Sequence, residues 1–247
     1  MWRIIPVKEF SAAINMALDE AIMERVREGA DPTIRFYTWN PSAISIGYFQ
    51  GYDNEVNDQA CIVDNVDVVR RSTGGGAVYH DIDGEITYSL IAPETLYPKE
   101  IIKSYEAICN HIVEALASLG INAHFQPIND IITNEQKISG NAQTRRGGVL
   151  LQHGTILYKV DVEKMFSVLK VPDEKIKDKL IKSVMKRVTS VVLQNPNVTK
   201  EQLAKALIDS FSKGKEWKLG DYLPEEIARA EIIAHRKYAS KSWTRLR

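Results

Sequence analysis

The sequence predicts a single α/β domain (α+β in the broader sense), with a mixed β-sheet flanked by helices. Three observations carry that prediction. Segments of helical period alternate along the chain with segments rich in β-branched and aromatic residues. Turn formers separate them at Asn40-Pro41, Pro93, Thr133-Asn134 and Gly147-Gly148. No repeat, low-complexity run or linker interrupts the pattern, and 247 residues suit one large domain.

The elements follow in order. Residues 11–29, "SAAINMALDEAIMERVREG", read as a helix that Ser11 can cap. Ile14, Ala17, Leu18, Ala21 and Ile22 share one face, and Gly29 ends it. "TIRFYTW" (33–39) and "SAISIGYFQ" (42–50) read as strands joined by a turn at Trp39-Asn40-Pro41. "VDVVRRSTGGG" (66–76) is a short strand entering a glycine turn, and "GEITYSLIAP" (84–93) is an alternating strand closed by Pro93. Residues 99–120 give the strongest helix, with Ile101, Tyr105, Ile108, Cys109, Ile112, Leu116 and Leu119 in helical period and Gly120 as its stop. Residues 123–160 read as several strands with turns. Helices are expected over 161–169, 173–184, 199–214 and 224–240.

Charge and cysteine content narrow the function. Thirty-two basic residues balance 32 acidic ones, so the basic excess of a general nucleic-acid binder is missing. The N-terminus "MWRIIPVKEF" lacks a signal-peptide core, and no run approaches the roughly 18 apolar residues of a membrane span. The expectation is a cytoplasmic protein with no nucleic-acid or membrane partner. Cys61 and Cys109 have no CxxC spacing, which argues against a metal knuckle or a disulfide framework.

Two stretches concentrate chemistry. The first is "RRSTGGGAVYHD", residues 70–81. Glycine tolerates positive φ and lets a ligand approach the backbone. Exposed N–H groups in such a turn make a concave site for an anion or a carbonyl. Arg70 and Arg71 stand beside it, and one of them can fork onto a carboxylate or phosphate. A tight turn with solvated arginines is the plainer reading; the flanking pair and the "VYHD" tail favour a site. The stretch is neither a Walker loop nor a GxGxxG signature. His80 and Asp81 are neighbours on an extended chain and point oppositely, so His80 is read as lining and Asp81 as turn-forming. The second stretch places Lys137 before Ile138-Ser139-Gly140, where a compact charge suits a phosphate or a developing oxyanion. Asn129 and Asp130 can hold Mg²⁺ or a ribose, or form an Asx turn after Pro127. His153 reads equally as site or core.

At these residues the sequence resembles the lipoate–protein ligase A family of the biotin/lipoate ligase superfamily. The Arg-Arg, triglycine and His-Asp pattern stands at 70–81, "KISGNA" at 137–142, "NDI" at 129–131 and "HGTIL" at 153–157. "NMALDEAIM" and "SVMKRVTSV" (183–191) also match, so the likeness runs through nearly the whole chain. It implies a biotin protein ligase-like, class II aminoacyl-tRNA synthetase-like catalytic domain over 1–247. It further implies ATP-dependent activation of lipoate to lipoyl-AMP with Mg²⁺. The lipoyl group then passes to a lysine of an acceptor, a 2-oxoacid dehydrogenase E2 subunit or the glycine-cleavage H protein.

The resemblance also assigns residues. The adenylate is expected along Arg71, Gly74, Gly75, Gly76, Ala77, Val78 and Tyr79, with Asn129, Asp130, Lys137, Gly140 and Ala142. Lipoate is expected against Arg70, Gly75, Gly76, Val78, His80, Lys137 and His153. Arg71 would hold phosphate, Asp130 Mg²⁺, and Lys137 would be the catalytic charge-stabilising group. The same fold carries octanoyltransferases that work through a cysteine thioester. Their cysteine falls where this chain reads "QPINDII", which has none, so the ligase is expected over the transferase. Cys109 on the apolar helix face and Cys61 read as structural. A non-catalytic lipoate or nucleotide binder is disfavoured by the intact Lys137 and Arg71. Long ligases continue beyond a "KY…W" segment; here "HRKYASKSWTRLR" ends at Arg247. The accessory domain is therefore expected to be absent, with a separate small protein supporting adenylation.

Overall fold

The computed structural model describes residues 1–170 and 177–247. The first half of the chain forms β1 (Trp2–Phe10), α1 (Ala12–Arg27), β2 (Thr33–Trp39), β3 (Ala43–Ile46), α2 (Tyr52–Glu55), α3 (Asp58–Val63), β4 (Asp67–Arg70), β5 (Val78–His80), β6 (Glu85–Pro93) and α4 (Ile101–Ser118). The second half forms β7 (His124–Gln126), β8 (Asp130–Thr133), β9 (Gln136–Arg146), β10 (Val149–Leu157), α5 (Val162–Val168), α6 (Lys177–Arg187), α7 (Val191–Gln194), α8 (Lys200–Ser212), β11 (Trp217–Leu219), α9 (Pro224–Ile233) and α10 (Lys241–Thr244).

Eight strands make one mixed sheet in the order β11-β1-β2-β6-β10-β9-β8-β7. Strand β1 runs parallel to both β2 and β11, and the remaining pairs are antiparallel. A second sheet, β4-β3-β5, is small. Successive side chains on a strand point to opposite faces, and β2 shows the consequence. Ile34 and Phe36 pack with Ile108 and Ile112 of α4 and Leu203, Leu207 and Phe211 of α8. Tyr37 and Trp39 pack on the other face with Ala17 and Leu18 of α1 and Ala230 and Ile233 of α9. Each fully buried large apolar side chain contributes about 1.5–3 kcal/mol, so the sheet is fastened on both faces.

Most expected elements form within a few residues of their predicted limits. Gly29 and Gly120 take φ of +98° and +76° just past α1 and α4, and the 133–135 and 147–148 turns also use positive φ. Two expectations change. Strand β6 is buried on both faces along almost its whole length, since helices cover the sheet on each side. The N-terminal segment forms β1, which Pro6 disguises; the β1–β2 register shifts between Ile5 and Lys8 to pass the proline. The part of the expected 173–184 helix over 173–176 lies outside the described residues.

Candidate active site

A cavity of about 360 Å³ opens between the small sheet, strands β9 and β10, and α1. Its wall is largely apolar: Met16, Tyr37, Trp39, Ala77, Val78, Leu157, Val160, Met165, Val184 and Val188. Gly75, Gly76, Asn129, Lys137, Gly140, Ala142, Tyr79, His80 and His153 also line it. Segments far apart in sequence thus meet at one place because β5 pairs with β3 while β9 pairs with β10.

The glycine turn is open above and braced from below. Gly75 has φ +99°, a conformation that favours glycine. A Cβ on Gly74 or Gly76 would meet nothing within 4 Å, so the missing side chains leave free space there. Among the described residues, the N–H groups of Gly74, Gly75 and Gly76 donate to no acceptor. Beneath the turn lies Arg71, buried, donating to the carbonyls of Gly74 (2.8 Å) and Gly76 (2.7 Å) and to the Ser45 carbonyl (2.9 Å) and Oγ (3.2 Å). Burial draws its pKa down to about 10, so it still carries charge at neutral pH.

The two arginines separate. Arg71 reaches the cavity wall, but the nitrogens expected to hold phosphate are committed to main-chain carbonyls. Arg70, expected against lipoate, lies outside the cavity. It is fully buried and donates to the carbonyls of Gly47, Tyr48, Gln50, Trp243, Thr244 and Arg247. Gly74 also lies off the cavity lining.

Lys137 sits at the cavity with its Nζ 2.7 Å from Asp130 Oδ1. Its aliphatic end passes over residue 140, where a Cβ would come within 2.7 Å of both Cε and Nζ, so a side chain there would push the lysine end aside. Asp130 is outside the lining, and among the described residues its Oδ1 accepts no hydrogen bond of regular geometry, the ammonium meeting it as an ion pair. The residues do not fit the expected Mg²⁺ site. The ammonium already occupies the cation position beside Asp130, and no group of three His, Cys, Asp or Glu residues that could hold a metal exists among the described residues. Asn129 donates to the Asn141 carbonyl, and its own carbonyl accepts from Asn141 N and Nδ2 at 3.0 and 2.9 Å. That exchange pins the start of β8 to β9.

Both cavity histidines are fully engaged. His80 Nδ1 is 2.6 Å from Glu85 Oε1 and Nε2 is 2.8 Å from Ser45 Oγ. Its ring stacks on Trp39, with centroids 3.9 Å and planes 16° apart. Thr87 Oγ1 donates to Glu85 at 2.7 Å and accepts from Trp39 Nε1 at 2.8 Å. His153 Nδ1 is 3.1 Å from Asp19 Oδ2 and Nε2 is 2.7 Å from Thr73 Oγ1. Asp19 also takes a 2.7 Å ion pair from Arg35. Burial alone would raise the Asp19 pKa, but Arg35 and His153 outweigh it and hold the carboxyl below its usual range. Sequence reading missed Asp19, Arg35, Ser45 and Glu85. A charged residue inside the apolar "TIRFYTW" and an aspartate on the apolar face of "NMALDEAIM" were the available signals.

Neither thiol belongs to the cavity. Cys109 is buried under the sheet and Cys61 among β3, α2 and α3. Burial pushes their pKa values up to about 12 and about 11, which suppresses thiolate and reactivity.

The fold is that of a lipoate-protein ligase catalytic domain, as its superposition on solved lipoate-protein ligases shows. The lipoyl protein ligase A/B catalytic domain matches residues 11–212, and the chain belongs to that family. It is similar to the octanoyltransferase LipM of Geobacillus kaustophilus, 36% identical across 98% of this chain and 97% of the relative. LipM of Bacillus subtilis is 33% identical over 98% and 97%. The bipartite lipoate protein ligase of Thermoplasma acidophilum superposes with a TM-score of 0.88 at 31% identity, covering 99% of this chain and 96% of that one. The LipM relatives overturn the expectation of an ATP-dependent lipoate ligase: over nearly their full length they bear the name of a transferase. Among the described residues, no helix is long and apolar enough to cross a membrane.

Proposed function

We propose that this protein is an octanoyltransferase. It moves a medium-chain acyl group from a carrier thioester to the lysine of a lipoyl acceptor domain, without ATP. The observation that carries the reading is a largely apolar cavity whose wall includes the Lys137 ammonium, with the triglycine turn's Gly75 and Gly76 on the same lining. Its volume falls within the roughly 300–1,000 Å³ of small-molecule sites. The apolar wall takes the acyl chain. Lys137 and the open glycine N–H groups hold the carbonyl and stabilise the oxyanion that forms when the amine attacks. Asp130 orients the lysine side chain. The likeness to LipM at 36% identity supports the acyl group chosen. Acceptors would be the 2-oxoacid dehydrogenase E2 subunits and the glycine-cleavage H protein. The small accessory protein was expected only for adenylation, and this reading does not require it. The catalytic unit spans 1–247 as one domain.

The test is mass spectrometry of an acceptor domain incubated with the protein and an octanoylated carrier, with ATP omitted. One octanoyl group on one lysine is expected. Modification that appears only with a free acid and ATP would overturn the reading.

A further inference from the structure

We propose that Ser45 is a catalytic nucleophile, activated by His80 and Glu85, that carries the acyl group as an ester between donor and acceptor. The inference rests on the transferase reading and supplies the relay that the buried cysteines do not.

Geometry makes the case. Ser45, His80 and Glu85 all line the cavity. The serine Oγ is 2.8 Å from His80 Nε2, and His80 Nδ1 is 2.6 Å from a Glu85 oxygen. These are the contacts that a nucleophile, a general base and an orienting carboxylate require. A carboxylate can only accept, so Nδ1 carries the proton and Nε2 is left to receive one from the serine hydroxyl. The ring is held against rotation by its stack on Trp39. Thr87 fills a further acceptor position on Glu85 and is itself fixed by the Trp39 indole. Arg71 Nη1 donates to the serine oxygen at 3.2 Å, which favours negative charge developing there. Strand β3 sends Ile44 and Ile46 to the opposite side, into the apolar cluster with Tyr52 and Val56, so Ser45 alone of the three faces the cavity.

The steps balance. Ser45 Oγ attacks the carbonyl of an acyl thioester while its proton passes to His80 Nε2. The C–O bond forms, the C–S bond breaks, and the proton leaves with the thiol. The acceptor lysine, as free amine, then attacks the ester. The C–N bond forms and the C–O bond breaks. The proton released by the nitrogen returns through His80 to the serine.

The experiment mixes the full chain with an octanoylated carrier and no acceptor, then reads intact mass and maps the adduct by peptide. One octanoyl group on Ser45 is expected, and Ser45→Ala should lose the adduct and slow transfer by at least about 100-fold. Glu85→Gln should slow ester formation while leaving donor KM nearly unchanged, a split that a packing role would not give. ATP-free transfer by the wild type together with undiminished transfer by Ser45→Ala would overturn the serine relay and leave the transferase standing. Absence of ATP-free transfer in the wild type would instead overturn the transferase. A fluorophosphonate probe needs no acyl donor and no variant: labelling of wild-type Ser45 supports an activated serine, and labelling nowhere on the chain overturns it.

Discussion

Two histidines line the same cavity, and each stands between a carboxylate and a hydroxyl. Their surroundings differ. In the chain Asp19–His153–Thr73 the carboxylate is also paired with the buried Arg35, and Thr73 lies off the cavity lining. In the chain Glu85–His80–Ser45 the carboxylate meets, among the described residues, only the imidazole and a threonine hydroxyl, and the serine lines the cavity. The first ties α1, β2, β10 and the entrance of the glycine turn into one body. The second leaves a hydroxyl, an imidazole and a carboxylate on the cavity lining. The same three kinds of group stand in two settings, and the difference lies in whether the carboxylate is itself paired with a buried cation, as Asp19 is with Arg35.

Breaking each chain should therefore give opposite symptoms. Asp19→Ala strands the Arg35 guanidinium in the interior. Loss of one partner of a buried pair typically costs about 3–5 kcal/mol, so the urea midpoint should fall sharply. Glu85→Gln strands no such cation and should shift that midpoint far less. Equal destabilisation by the two variants would erase the distinction.

Lys137→Ala comes next in size. Removing one group that stabilises a developing oxyanion costs roughly 2.7–4 kcal/mol of barrier, about 100- to 1,000-fold in rate. Its ion pair with Asp130 is partly exposed, and exposed pairs contribute about 0–1 kcal/mol, so the variant should unfold at nearly the wild-type temperature. Turnover close to wild type would remove Lys137 from the mechanism.

A smaller effect separates the chains by pH. The Asp19 carboxyl is held below its ordinary value of 3.8 in the folded protein. Its stabilisation is fully present above the unfolded value and is lost as pH falls through 3.8 toward the folded one. Asp19→Asn should therefore flatten the loss of stability between neutral pH and about pH 3, as read from urea midpoints. A slope equal to wild type would assign the acid sensitivity elsewhere.

The sequence showed the parts of the site and hid their orientation. The triglycine, Lys137 and Gly140 were visible because glycine beside a cation is costly without a ligand or a close approach. The division of labour between Arg70 and Arg71 was not visible, although neighbours at a strand end point oppositely. Arg70 is satisfied by carbonyls more than 170 positions away, a pairing that no local pattern encodes. The same holds for Asp19, Arg35 and His153, which meet only once α1, β2 and β10 have packed. Strand β1 was hidden by Pro6, and Ser45 was one polar residue in an apolar run. The absence of cysteine from "QPINDII" was legible, but it does not by itself choose a ligase, since a hydroxyl held by histidine offers another relay.

The smallest expected effect is also the most direct test. Replacing Cys61 and Cys109 together by alanine removes every thiol in the chain. Given an octanoylated carrier, an acceptor domain and no ATP, the cysteine-free protein should add one octanoyl group to the acceptor lysine at close to the wild-type rate. A folded cysteine-free protein that leaves the acceptor unmodified, beside a wild type that modifies it, would contradict the account.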